Sequence, residues 1–330
     1  MPKQEEVDLS RLSDLCTPWC IHVVATLRIA NHIASGITQT DDLAAACGAH
    51  GESLERVLRH LVSKGMFAEP TPGTFTLNEA ARVLLDPMAH WLDLEGFGGR
   101  MAHAWGTLLS AVRTGKPAYN EAFGSSYWED LEAHPEIAAD FDALMGPVGH
   151  GTPDPEVLVD GDWDEVRTVV DVGGGTGALL AEVLRAHPLV RGVLVDLPRT
   201  VERSGEIFEK TGVADRVTTV GQSFFDPLPA GADVYLLKSV LSDWPDHEAQ
   251  VLLQRCAEAA RPAGRVVALN GVSPDEDGPP SPDLLMMVLV GGKQRSLTEF
   301  RELAGAAGLE VHAAARQASG RFVVECRPRA

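Results

Sequence analysis

The chain has 330 residues, long for one domain and comfortable for two, and 45% of them are hydrophobic, enough to bury real cores. Lys and Arg number 28 against 47 Asp and Glu, a formal net charge of -19. An acidic surface of that size repels phosphate backbones and anionic membranes, and suits a cationic ligand better.

The opening stretch MPKQEEVDLSRLSD has no basic segment followed by an apolar one, and no run approaches the roughly 18 apolar residues of a membrane helix. A cytoplasmic protein with no membrane partner is expected. Residues 1–95 read as helices with one hairpin. Leu27, Ile29, Ala30 and Ile33 fall at helical spacing, and the hydroxyl of Thr40 is placed to cap a short helix running through Ala46. Ser53 is expected to cap another, Leu54 to Lys64, whose Leu54, Val57, Leu58 and Leu61 form one apolar stripe. Met66–Glu69 and Thr74–Leu77 flank Pro70-Thr71-Pro72-Gly73 as a two-stranded wing.

Helices followed by a wing make a winged-helix pattern, which raises DNA reading as a function. Charge decides against it. Residues 1–95 hold seven Lys/Arg against thirteen Asp/Glu, and Arg56, Arg59 and Lys64 on the recognition-type helix are offset by Glu52 and Glu55. Phosphate contacts supply most non-specific affinity, so the module is expected to dimerise the chain and not to bind nucleic acid. A ligand-responsive winged-helix regulator is the rival from another functional class.

Residues 96–165 read as a helical connector with Trp105 and Trp128, broken at Gly115-Lys116-Pro117 and from Gly149 to Pro155. From Arg167 the texture changes. Arg167–Val172, Gly192–Asp196, Val217–Val220, Asp233–Lys238, Arg265–Asn270 and Arg321–Cys326 read as strands, with helices at 178–187, 199–210, 246–260 and 298–307. That alternation predicts an α/β domain over 166–330 with a Rossmann-type, doubly wound, mostly parallel sheet. Cys16, Cys20, Cys47, Cys256 and Cys326 form no CxxC pair and have no nearby histidine in zinc-ligand spacing, so no metal is expected and all five read as ordinary buried thiols.

Val169-Val170-Asp171-Val172-Gly173-Gly174-Gly175-Thr176-Gly177 is a strand entering a glycine turn ahead of a helix. Its glycines allow close backbone approach to a ligand and present amide N–H groups at a helix start. With Ala178 it also satisfies the looser dinucleotide fingerprint, so the turn alone leaves a nicotinamide oxidoreductase open beside a methyltransferase. Asp171 before the glycines suits a cationic ligand and disfavours a pyrophosphate. Asp196, ending the next strand, is placed for ribose hydroxyls, as either cofactor requires.

Further on come Val220-Gly221-Gln222-Ser223-Phe224-Phe225-Asp226-Pro227 and Leu237-Lys238-Ser239-Val240-Leu241-Ser242-Asp243-Trp244. Here the chain resembles the small-molecule O-methyltransferases of plant phenolic and bacterial polyketide-tailoring pathways, and within them the naphthoate-methylating branch of enediyne antibiotic pathways. The likeness runs from about residue 15 to the end. It implies a class I methyltransferase fold with an N-terminal winged-helix dimerisation domain, a homodimer, S-adenosyl-L-methionine as cofactor and a small aromatic acceptor. By the same resemblance Asp171, Gly173 and Gly175 line the methionine part, Asp196 takes the ribose, Ser223 and Phe224 contact the adenine, and Lys238 and Ser239 lie near the methionine end.

One departure stands out. Members of that family usually read Leu-His-Asp-Trp where this chain has Leu241-Ser242-Asp243-Trp244, and the histidine is their general base. A serine hydroxyl is a poorer base than the phenolate it would have to make. The histidine's acidic partner corresponds to Asp283, while His247 lies in the next helix as a solvated histidine. The resemblance also carries an N-terminal segment over the partner's pocket, which makes Arg11 a candidate clamp for a substrate carboxylate, and otherwise an exposed helix arginine. Arg11, Asp243 and Asp283 are therefore the catalytic candidates. Trp105, Met145, His150 and Met286 are candidates for the acceptor pocket. Without the histidine, the same fold could instead use the cofactor for hydroxylation, decarboxylation or pericyclic chemistry.

Overall fold

The computed structural model describes residues 8–146, 152–160, 163–278 and 283–329. The chain divides into two compact units, Met1–His103 and Ala104–Ala330.

In the first unit, helices at Cys16–Thr26, Ile29–Ala34, Thr40–Cys47 and Gly51–Ser63 precede the wing strands β1 (Ala68–Thr71) and β2 (Thr74–Thr76). Leu54, Leu58 and Leu61 join Val24, Ile29, Leu43 and Phe75 in one core, with Val57 packed at its margin. Both expected caps are corrected. The helix given to Ser53 begins at Gly51 behind His50, so Ser53 lies inside it, its Oγ 3.1 Å from His50 Nδ1. Thr40 is the first helical residue, and its hydroxyl donates to the Gly73 carbonyl in the wing turn at 3.0 Å. A short hydroxyl side chain that finds a distant carbonyl gives up its local cap. Two of the three cations on the recognition-type helix are already paired. Arg59 meets Glu55 at 2.8 Å and Glu69 at 3.0 Å, and Lys64 lies 3.4 Å from Asp14.

The second unit is built on β3 (Thr168–Val172), β4 (Arg191–Asp196), β5 (Val217–Gly221), β6 (Val234–Lys238) and β7 (Arg265–Leu269). After a small parallel pair, β8 (Val272–Ser273) with β9 (Arg295–Ser296), come β10 (Leu309–Arg316) and β11 (Phe322–Pro328). The seven-stranded sheet runs β10-β11-β7-β6-β3-β4-β5, parallel from β7 to β5, with β10 and β11 antiparallel at one edge. The sequence pattern does not reveal β10. Its alanine-rich run has weak intrinsic strand preference and gains its state by pairing with β11 from Leu309↔Pro328 to Arg316↔Phe322. The helix expected over 199–210 is two, Pro198–Val201 and Gly205–Thr211.

Alternate residues of each strand feed opposite faces, so both faces are buried. Val170, Val172 and Tyr235 pack with Leu252 and Phe300 of the helices Asp246–Ala259 and Leu297–Ala306. Val169, Leu194 and Leu236 pack with Leu180 and Leu184 of the helix Ala178–Ala186. Chain order reverses between β3 and β6, and the carboxyl ends at such a switch point are where open α/β sheets bind ligands.

Candidate active site

The chain leaves β3 at Val172 and turns through Gly173–Gly177 into the helix that starts at Ala178. Gly173 is left-handed, φ +68°, and a Cβ there would lie 2.9 Å from Val240 Cγ2 and 3.3 Å from the Phe224 ring. At Gly174 a Cβ would sit 2.5 Å from the Asp171 carboxylate and 2.6 Å from Leu194. Only glycine lets the turn pass this close over a buried acid. The turn is tied to the next strand, since the Gly175 N–H donates to Asp196 Oδ2 at 2.8 Å and the Leu197 N–H to Oδ1 at 2.7 Å.

These elements open onto a cavity of about 690 Å³, within the range of small-molecule sites. Its walls include all eight residues expected to hold the cofactor, Asp171, Gly173, Gly175, Asp196, Ser223, Phe224, Lys238 and Ser239, together with Met145 and Asp243. Asp171 is buried, and neither carboxylate oxygen has a hydrogen-bond partner among the described residues. Burial pushes its carboxyl up to about 7, with the Lys238 ammonium pulling down and Asp196 pushing up. Burial also raises Asp196 against the Gly175 and Leu197 N–H groups, and lowers Lys238 against the attraction of Asp171.

Ser239 and Asn270 end adjacent strands in left-handed conformations, φ 58° and 63°, and the Asn270 amide donates to Ser239 Oγ at 2.8 Å. Non-glycine residues held there cost about 1–3 kcal/mol each and gather at functional sites. The apolar wall is aromatic. Trp128 stacks on Trp244 with centroids 6.0 Å apart at 20°, and Phe224 and Phe225 meet Trp244 edge-on at 5.8 and 4.8 Å.

Ser242 and Asp243 separate in role. Ser242 is buried in the turn Leu241–Asp243, where a Cβ on Gly271 would come 3.3 Å from its own, and it is not among the cavity's lining residues. Asp243 is. Burial drives its carboxyl up to about 7, the Asp283 charge pushes the same way and the Ser242 hydroxyl opposes. Buried Arg295 fixes this turn by donating to the carbonyls of Leu241 at 2.7 Å and Trp244 at 2.8 Å, while its Nε meets Asp246 at 3.0 Å. Asp283 caps the helix Leu284–Leu289 by accepting the Met286 N–H at 3.2 Å.

Other expected residues fall elsewhere. Trp105, partly exposed, and Met286 are not in the cavity wall, because the turn Trp105–Thr107 packs beside the helix Leu284–Leu289 instead. Arg11 sits exposed on the helix Leu9–Leu12 of the first unit. His247 is solvent-exposed. His150 lies outside the described residues. The cavity also holds residues the sequence reading leaves out. Arg199 lies in the fields of Asp142 and Asp196, its Nε and Nη1 buried with no hydrogen-bond partner among the described residues. An arginine three positions past the ribose-type aspartate was the available signal.

The O-methyltransferase domain family matches residues 105–310, and the O-methyltransferase dimerisation domain family matches 10–87. The chain is an O-methyltransferase. The methyltransferase is 43% identical over 313 residues to the 2,7-dihydroxy-5-methyl-1-naphthoate 7-O-methyltransferase of Streptomyces carzinostaticus, covering 93% of this chain and 94% of that one. It is 37% identical to the aclacinomycin 10-hydroxylase RdmB of Streptomyces purpurascens over 93% of this chain and 86% of the relative. Among solved structures, the neocarzinostatin-pathway O-methyltransferase NcsB1, in complex with S-adenosylmethionine and 2-hydroxy-5-methyl naphthoic acid, superposes with a TM-score of 0.90 at 40% identity. That match covers 98% of this chain and 99% of the other.

The methyltransferase uses S-adenosylmethionine and is a homodimer through its N-terminal domain. Its own residues fit the cofactor. A buried carboxylate with no donor among the described residues, Asp171, suits a cation, Asp196 keeps lone pairs beyond its two backbone bonds, and the cradle closes if Gly173 or Gly174 gains a Cβ. Among the described residues no helix is long and apolar enough to cross a membrane.

Proposed function

We propose that this methyltransferase methylates a hydroxyl of a naphthoic-acid-like acceptor in cytoplasmic antibiotic biosynthesis. Likeness to a naphthoate 7-O-methyltransferase along nearly the whole of both chains carries the proposal, and the aromatic cavity wall agrees with it. In this reading residues 1–95 dimerise, 96–165 line the acceptor pocket and 166–330 bind the cofactor.

S-adenosylmethionine supplies an electrophilic methyl group on a sulfonium. Asp171, Gly173, Gly175, Lys238 and Ser239 hold its methionine part, Asp196 its ribose, and Ser223 and Phe224 its adenine. Trp128, Met145 and Trp244 offer the acceptor ring a flat, adaptable wall.

Ionising a free phenol at pH 7 costs about 4 kcal/mol. Holding nucleophile and methyl donor in line contributes about 7–11 kcal/mol, against about 3–5 kcal/mol from a general base. Orientation is therefore the larger resource, which is why loss of the histidine is survivable. Asp243, a cavity carboxyl at about 7, is the group we assign to take the hydroxyl proton. Ser242 carries none. A carboxylate on the acceptor pairs with Arg11, if that residue covers the pocket, or with Arg199 inside it.

The hydroxylase relative indicates that similar chains run different chemistry, and Ser242 in the histidine's place is the feature of this chain that leaves the outcome to experiment. Mass spectrometry of the purified protein with S-adenosylmethionine and a panel of hydroxynaphthoic acids tests the proposal. A product heavier by one methylene supports it, and a hydroxylated or decarboxylated product would refute it.

A further inference from the structure

In the first unit, Cys16 and Cys20 stand one turn apart on the helix Cys16–Thr26, their sulfurs 3.9 Å apart. The helix Gly51–Ser63 packs against this one and brings His60 beside them, so that one donor atom from each of the three lies within 4.8 Å of the others. Cys16 is exposed and Cys20 half-buried, which corrects the expectation that they are ordinary buried thiols. Sequence spacing hides the group because its histidine arrives from a different helix.

Two thiolates bound to zinc at about 2.3 Å in tetrahedral geometry lie about 3.8 Å apart. The cysteine sulfurs already stand at that spacing. The histidine's tautomer is also fixed. Thr17 Oγ1 donates its only hydrogen to Asp14 Oδ2 at 2.6 Å, so the 2.9 Å contact between Thr17 Oγ1 and His60 Nε2 is an N–H donated by the ring. Nδ1 is then the imidazole's free lone pair. A ring fixed through its other nitrogen by an oxygen that is itself held by a carboxylate is the usual outer support of a metal-binding histidine.

We propose that Cys16, Cys20 and His60 form a binding site for a thiophilic metal ion, zinc(II), with water in the fourth position. The ion would fasten the helix Cys16–Thr26 to the helix Gly51–Ser63 and stabilise the N-terminal unit, independently of methyl transfer.

The test uses the full-length dimer, stripped with chelator under reducing conditions and titrated with cobalt(II) and then zinc(II). One equivalent of cobalt per chain with a thiolate-to-metal charge-transfer absorption, displaced by zinc, is expected, and zinc should raise the Tm by a few degrees. Cys20→Ser and His60→Gln should each weaken binding at least tenfold while S-adenosylhomocysteine affinity stays as in the wild type. Lack of a saturable thiolate band in the wild-type protein would overturn the proposal without recourse to any variant. So would wild-type affinity in the Cys16→Ser/Cys20→Ser double variant.

Discussion

Asp196 Oδ2 accepts a 2.8 Å hydrogen bond from the Gly175 N–H, so the residue expected to hold the ribose also anchors the glycine turn. Asp196→Ala removes both functions. Affinity for S-adenosylhomocysteine, measured by calorimetry, should fall at least about tenfold, the scale of lost charged hydrogen bonds. Unchanged affinity would mean that the ribose binds elsewhere.

Asp171 makes the fold sensitive to pH. Burial lifts its folded carboxyl to about 7 from an ordinary 3.8. The folded state therefore holds this proton more tightly than the unfolded chain does. The stability linked to it is full below about pH 4 and is lost as pH rises through about 7. Asp243, also raised to about 7, acts with the same sign. The Tm of cofactor-free enzyme should lose this contribution between about pH 4 and pH 7 and level off above that, and Asp171→Asn should flatten the change. Equal slopes in variant and wild type would show that Asp171 does not titrate there.

Asp243→Asn should lower kcat by about 10²-fold or more if Asp243 takes the hydroxyl proton. In the wild type, kcat/KM should rise with an apparent pKa near 7, and in the variant it should follow the acceptor's own ionisation instead. Ser242→Ala should cost little, because Ser242 does not line the cavity. The reverse pattern, a dead Ser242→Ala beside an active Asp243→Asn, would point to a serine-centred relay.

Arg199→Gln and Arg11→Ala separate two sources of positive charge. Either one, if it clamps a carboxylate, should impair carboxylate-bearing acceptors more than neutral ones, since only the former lose a charge-assisted pair. Arg199 lines the cavity with two nitrogens that have no hydrogen-bond partner among the described residues, so its variant should show the larger difference. Equal losses on both acceptor types would assign Arg199 to the cofactor instead.

The glycine turn, Asp171 and Asp196 were legible in the sequence because strand, turn and helix follow one another and the chemistry is local. Four of the seven strands of the main sheet, β3, β4, β6 and β7, were legible for the related reason that parallel buried strands are near-continuous apolar runs, while β5 at the edge and β11 beside β10 showed through their β-branched residues. β10 was hidden by its alanines. The caps at Thr40 and Ser53 were misread because a wing carbonyl and His50 compete for the same hydroxyls. Trp128 and Arg295 reach the cavity or its supporting turn from segments far apart in the chain, and no spacing rule links such residues. Trp105 and Met286 fit a pocket by residue type alone, and their elements pack against each other without lining this cavity.

Incubating the purified protein with S-adenosylmethionine and hydroxynaphthoic acids, and reading the products by mass, tests the account most directly. The predicted result is stoichiometric conversion of one acceptor to its methyl ether with matching release of S-adenosylhomocysteine. S-adenosylmethionine bound but unconsumed, with the acceptor hydroxylated or decarboxylated, would contradict it.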